Sequence, residues 1–385
     1  MNTDIVIVGT GFAGSIMAYL LANDNKRVKI CERRNHIAGN MYDFVDEYGI
    51  RIQKYGPHTF HTNNKEVYDF ISKFCVMENY RLKCEAIIDG EPTPSPFNFK
   101  TIEQFYDEES AQKLKNKLLN YYGKESATVL QMLNCEDDDI REYAEFLFKK
   151  DYSLYTAKQW GKKPEEIDPS VLERVPVVFN YNDTYFYDDY EGIPQNGFTS
   201  LFENMLNHEN IEICLNMDAL EYISFDDEKH KILFDGKDIP VIFTGPIDEL
   251  FNNEFGNLPY RSLYFEYEYH PMESYQNVAI VAHPADEEYT RITEYTKLPF
   301  QNIDKKTVIA KEYSVEYNKN NVQGNEPYYP ILTEDSKMRY EKYLSLSKKY
   351  DNLYLCGRLA DFKYYNMDQV IDRILKYYKE IKNSI

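Results

Sequence analysis

Asp4-Ile5-Val6-Ile7-Val8-Gly9-Thr10-Gly11-Phe12-Ala13-Gly14 is a short apolar run that breaks into three glycines. The run is apolar throughout, as for a buried parallel strand. A helical pattern follows through Ile16, Met17, Leu20 and Leu21, and Lys26 to Glu32 reads as a second strand ending in an acid. Strand, glycine turn, helix and strand form the βαβ unit that opens a doubly wound sheet. In that unit Gly9 makes the tight turn, and Gly11 lets backbone N–H groups reach a pyrophosphate. Gly14 lets the helix pack close, and Phe12 and Ala13 start the helix whose positive end faces the anion. Glu32 is suited to ribose hydroxyls. The plain alternative is a tight turn that binds nothing, which the full βαβ context disfavours. Ile5 to Ala22 carries no charge and has the length of a membrane span, but Asp4 precedes it and glycines interrupt it, so it reads as strand, turn and helix.

Two features favour FAD over NAD. Glu32-Arg33-Arg34 runs on to Ala38-Gly39-Asn40, a second glycine-bearing stretch. Gly357-Arg358 follows a late strand and precedes a helix holding Asp368, so the end of the chain can touch an extended cofactor again.

The chain has 385 residues and a formal net charge of −20. This balance argues against a nucleic-acid partner and against an anionic membrane surface, both of which need clustered Lys and Arg. An anionic substrate would then require local arginines that reverse the field. The 36 tyrosines are mostly packing residues, with some left to line a cleft. Six scattered cysteines, none in a CxxC pair, suit reduced thiols in the cytoplasm, and no metal-ligand pattern is seen.

Further along, Pro92, Pro94 and Pro96 suggest an irregular connection. Ala111, Leu114 and Leu118 share one helix face. Ile140, Tyr143, Ala144, Leu147 and Phe148 share another, so about 100 to 165 reads as mostly helical. Phe265, Tyr267 and Tyr269 alternate with Glu266 and Glu268, as in a strand with one wet face, and Val278 to Ala282 and Thr307 to Tyr313 are further strands. Asn352 to Cys356 is a buried strand, and a last helix spans Met367 to Ile381. The fold class is α/β: a Rossmann-like FAD-binding domain with an inserted helical domain and an antiparallel sheet domain. The divisions are 1–82 for the first part of the FAD domain and 83–170 for the helical insertion. The sheet domain takes 171–330, with a return to the FAD domain near 192–245, and 331–385 completes the FAD domain.

Several strings together resemble the bacterial UDP-galactopyranose mutases. They are Tyr55-Gly56-Pro57-His58-Thr59-Phe60-His61, Tyr155-Thr156-Ala157-Lys158-Gln159-Trp160 with Arg174 beyond it, and Asn182-Asp183-Thr184-Tyr185-Phe186. Gly245-Pro246-Ile247-Asp248, Tyr289-Thr290-Arg291, Glu326-Pro327-Tyr328-Tyr329-Pro330 and Gly357-Arg358-Leu359 with Tyr364 complete the set. The resemblance implies three parts, one of them a six-stranded antiparallel sheet. It also implies interconversion of UDP-galactopyranose and UDP-galactofuranose through a covalent adduct at N5 of reduced FAD. By resemblance Arg174 and Arg291 hold the diphosphate, with Arg174 near a mobile substrate loop, and Tyr185, Tyr329 and Tyr364 add phenolic donors. Tyr155, Trp160, Phe186 and Asn366 line the substrate site, and His58 and His61 flank the flavin. It implies an external reductant, a cytoplasmic enzyme and a homodimer.

The chain departs from this pattern in three places. Asp151 stands where the family usually carries a phenylalanine against uracil; it could accept bonds from a base rich in donors, such as guanine. Asn366 replaces an aspartate, and Gln195-Asn196-Gly197 lacks a usual second glycine. The same chemistry on another UDP-, GDP- or dTDP-linked sugar (deoxy, heptose or N-acetyl) therefore stays open. A flavin amine-oxidase-like oxidoreductase and a silent nucleotide-sugar-binding flavoprotein are more remote alternatives.

Overall fold

The computed structural model describes residues 3–123, 125–163, 166, 172, 175–285 and 287–385. The opening strand, Ile5–Val8, lies at the centre of a five-stranded parallel sheet. Val28–Glu32 pairs on one side, with Ile5 opposite Val28, and Val241–Phe243 pairs on the other, with Val6 opposite Val241. Ile211–Leu215 and Leu353–Leu355 close the two edges. The sheet thus gathers the start, middle and end of the chain. Ile5, Val6 and Ile7 are covered on both faces, as a parallel sheet with helical crossovers requires. The last helix, Met367–Ile381, has the bounds its periodicity gives and buries Val370, Ile371, Ile374, Tyr378 and Ile381.

The second sheet has seven strands, in the order Tyr329–Pro330, Tyr260–His270, Thr307–Glu316, Arg291–Glu294, Ile280–Ala282, Cys84–Ile88, Glu91–Ser95. The resemblance implied six antiparallel strands; the sheet here is larger and mixed, because Cys84–Ile88 runs parallel to Ile280–Ala282. Residues 84–95 also correct the reading of the prolines. Asp89 and Gly90 both have positive φ, 51° and 86°, and join the two strands as a two-residue hairpin turn. Glu91–Ser95 is the edge strand, where Pro is tolerated. Pro92 and Pro94 share a parity, and the Pro92 carbonyl accepts from Gln104 outside the sheet, so their missing N–H groups fall on the unpaired side.

The helical layer has its own apolar core, with Leu118, Met132, Ile140, Tyr143 and Leu147 buried together. Asp138–Leu147 is capped by Asp137, whose carboxylate accepts from the N–H groups of Asp139 and Ile140. It does not end there. A π-helical turn, Phe148–Tyr152, leads directly into Ser153–Trp160, and Gly161 stops the rod with φ 63°. Such wide turns recur at functional sites.

Candidate active site

A cleft crosses the C-terminal edge of the parallel sheet. Gly9, Gly11, Phe12, Ala13, Glu32, Arg33, Gly39, Asn40, Gly357 and Arg358 line it, and it continues to His58 and Met367. Three backbone segments meet here at close range. A Cβ on Gly39 would come 2.9 Å from the Gly11 Cα, and one on Gly357 would come 2.9 Å from the Ala13 Cβ. Gly11 is the N-cap of Phe12–Asn23, with no side-chain cap and no acid in the first turn. The first N–H groups of that helix therefore face the cleft without an internal acceptor, which fits a pyrophosphate. Glu32 is held by the Thr10 N–H at 2.9 Å, the Thr10 hydroxyl at 2.7 Å and the Arg34 N–H at 3.0 Å. Its remaining lone pairs are thereby fixed for hydroxyl donors. The residues present fit a dinucleotide cofactor.

Beyond Arg358 the cleft gives way to an aromatic cluster. The Arg358 guanidinium donates to the carbonyls of Tyr328 at 3.2 Å and Tyr365 at 2.6 Å. It lies 5.4 Å from the ring centre of Tyr329 and 5.7 Å from that of Tyr364. Those two rings stack at 5.0 Å, and Trp160 packs on both, at 6.0 and 5.8 Å. Residues 160, 329, 358 and 364, far apart in sequence, are thus one cluster.

Arg291 and Glu312 lie directly opposite one another on neighbouring antiparallel strands. Glu312 takes the Arg291 Nε at 2.8 Å and Nη2 at 2.7 Å, while Nη1 is not used by it. Burial is the largest influence on Arg291 and opposes its charge, but Glu312, together with Tyr155 and Tyr329, outweighs it and holds the guanidinium charged. Tyr155 and Tyr329 are its phenolic neighbours, and burial pushes both phenols up, so both remain donors. His58 goes the other way: burial, then the charges of Arg358 and Arg291, push it down to about 3, so its imidazole is neutral at physiological pH.

His61 is not in the cleft lining. Its Nδ1 meets the Asp188 carboxylate at 2.5 Å and its ring stacks on Phe186 at 3.6 Å, while Tyr185 meets Phe186 edge-on. Gly14 also lies off the cleft, packed under Gly9, and Asp368 accepts from the Thr62 hydroxyl at 3.1 Å. Asn366 caps the last helix, with the Gln369 side chain accepting from its backbone N–H at 2.9 Å. Arg174 lies outside the described residues.

Several lining residues carry no motif of their own: Met217, Leu220 and Phe243. Arg34 and Glu326 are a further case. Glu326 bridges Arg33 and Arg34, tying the loop after the second strand to the segment before Tyr328. Two signals did exist in sequence, the strings at Gly245-Pro246 and Glu326-Pro327-Tyr328, but neither states a role. Among the described residues, no group of His, Cys, Asp or Glu is arranged to hold a metal ion, and no helix is long and apolar enough to cross a membrane.

Fold and cleft together define a Rossmann-like dinucleotide-binding enzyme, and residues 7–74 match the NAD(P)-binding Rossmann-like domain model. Residues 150–364 match the UDP-galactopyranose mutase model. The chain is 36% identical over 379 residues to the dTDP-fucopyranose mutase of Escherichia coli, covering 97% of this chain and 96% of that protein. It is 34% identical over 386 residues to a probable UDP-galactopyranose mutase of Klebsiella pneumoniae, covering 100% and 96%. A crystal structure of reduced UDP-galactopyranose mutase superposes with a TM-score of 0.76 at 17% identity, covering 100% of this chain and 95% of that one. The chain belongs to the UDP-galactopyranose mutase family, a family of nucleotide-sugar isomerases.

Proposed function

We propose that this enzyme interconverts UDP-galactopyranose and UDP-galactofuranose with FAD in its reduced form. The observation that carries the reading is the contact of the dinucleotide cleft, through Arg358, with an aromatic cluster whose Tyr329 neighbours the charged, partly uncommitted Arg291. Reduced flavin, when bound, supplies the nucleophile for the anomeric carbon. The chain's residues do the rest. Gly9, Gly11 and Glu32, with Arg33, Gly39, Asn40, Gly357 and Asp368, hold the cofactor. Arg291 and Arg174 hold the diphosphate while it is free of the sugar. Tyr155, Tyr185, Tyr329 and Tyr364 donate hydrogen bonds, and Trp160 and Phe186 exclude water. His58 stays neutral beside the flavin, where a charged imidazole would add a competing proton donor. An external reductant, a homodimer and a cytoplasmic location belong to the same reading, the last supported by six free thiols.

A second reading, the same chemistry on another nucleotide sugar, is favoured by Asp151 and by the fucopyranose mutase relative. The test is an assay of ring form by NMR. Dithionite-reduced protein is given UDP-galactofuranose, and separately a panel of UDP-, dTDP- and GDP-linked sugars. Conversion of UDP-galactofuranose only after reduction is expected, with no steady oxygen consumption. Conversion of another sugar alone moves the substrate, and steady oxygen consumption points to an oxidase. Arg174→Ala is expected to abolish turnover while the protein stays yellow; turnover near the wild-type rate in that variant removes Arg174 from the diphosphate role.

A further inference from the structure

A second hollow, of about 360 Å³, adjoins the cofactor cleft. Arg33 and Arg34 line both cavities, whereas Lys54, Lys319 and Asn325 line only this one. Neither the cofactor reading nor the substrate reading uses it. Four cations line it, Arg33, Arg34, Lys54 and Lys319, against one carboxylate, Glu326. That excess of positive charge stands on a chain whose net charge is −20. Like charges gathered in one concave place repel each other, so the arrangement is costly until an anion enters.

Most of its donors are already spent. Glu326 takes the Arg33 guanidinium at 2.9 Å and pairs with Arg34 as well. Arg34 also donates to the Asn40 side chain at 2.9 Å and lies 4.4 Å from the centre of the Tyr55 ring. The two ring nitrogens of His36 meet the Ile37 carbonyl at 2.8 Å and the Tyr55 hydroxyl at 2.7 Å, and its ring stacks on Tyr42 at 3.8 Å. Burial pushes the His36 imidazole down, so it adds no charge. Two lysines remain. Both are exposed, and no ion pair holds either of them among the described residues. The Lys54 ammonium rests 5.4 Å from the centre of the Tyr55 ring.

These free donors select the ligand. A planar carboxylate is held best by an open guanidinium fork, and Glu326 engages both forks here. An ammonium is a point charge with three donors on a flexible stem, which suits a tetrahedral anion of higher charge. A base would need an open ring face, and the two rings in the wall already pack on Arg34 and Tyr42. We propose that this hollow binds the phosphoryl group of a small anion, a phosphate ester or a diphosphate, through Lys54 and Lys319 with Asn325 as a neutral donor.

The test is calorimetric titration of the oxidised holoenzyme with pyrophosphate at pH 8, with UDP in excess to fill the nucleotide-sugar site. Tricarballylate, a tricarboxylate of the same charge at that pH, is the control. Ribose 5-phosphate in a parallel arm separates a phosphate ester from free diphosphate. Pyrophosphate is expected to bind at least about tenfold more tightly than tricarballylate. The double variant Lys54→Gln, Lys319→Gln is expected to weaken pyrophosphate at least about tenfold while its melting temperature, flavin content and turnover match wild type. Lys54→Arg with Lys319→Arg restores the charge and supplies open forks, so it is expected to keep pyrophosphate and to gain affinity for tricarballylate. No binding of pyrophosphate, binding that the glutamine pair leaves unchanged, or tricarballylate bound by wild type as tightly as pyrophosphate overturns the proposal. None of these readouts requires ring conversion, so the site can fail while the mutase reading stands, and the reverse.

Discussion

Arg291→Ala is expected to lower turnover at least about a hundredfold and to destabilise the fold as well. Two separate losses are involved. The first is the donor available to a departing diphosphate: Nε and Nη2 are committed to Glu312, and the rest of the fork is left for a ligand. The second is structural. The Glu312 side chain is only 1% exposed, so deleting its partner strands a buried charge. Breaking a buried pair from one side typically costs about 3–5 kcal/mol. The Thr290 hydroxyl, 3.4 Å from Glu312 Oε1, is too weak a substitute. The losses separate in the double variant Arg291→Met, Glu312→Gln, which leaves no charge to strand. It is expected to regain most of the melting temperature and none of the turnover. Recovery of both would mean that Arg291 is only half of a structural pair and that the diphosphate is held elsewhere.

That pair illustrates what was legible and what was not. Arg291 stood out through its neighbours in sequence, but its partner is 21 residues away and is fixed by strand register, which no local pattern records. The neutrality of His58 is of the same kind, since it depends on burial and then on the charge of Arg358 at the far end of the chain. Local features were read well. The glycine turn, the strand through Phe265 to Tyr269 and the last helix each show within one element, although Tyr267 and Tyr269 are exposed, so that strand lacks the single wet face its alternation suggests. The hairpin at Asp89-Gly90 was hidden by the prolines that follow it, because the rule that keeps Pro out of strands does not hold at an edge. The π turn was hidden for another reason. Phe148 keeps the apolar spacing of the preceding helix, so the pattern reads on through the place where the backbone widens.

The cofactor loop allows a sharper experiment, because its glycines are glycines for different reasons. Gly14 cannot accept a side chain even in the protein alone: its Cβ would lie 2.0 Å from the Gly9 carbonyl oxygen, a backbone atom that cannot rotate away. Gly14→Ala must push the helix off the turn, at a cost of about 3 kcal/mol, and is expected to be colourless and less stable. Gly11 is the opposite case. Its φ of −68° suits any residue, and its Cβ would meet no atom within 4 Å. The chain itself gives no reason for a glycine there; the open space is what a pyrophosphate over the helix N-terminus would fill. Gly11→Val is therefore expected to fold with the melting temperature of wild-type apoprotein while binding FAD at least about tenfold more weakly, a loss of about 1.4 kcal/mol or more. Flavin content at 450 nm, FAD titration of the apoproteins and their melting curves measure all three quantities. If Gly11→Val keeps wild-type FAD affinity, the cofactor does not lie over this turn, and the cleft is used differently from the way its backbone suggests.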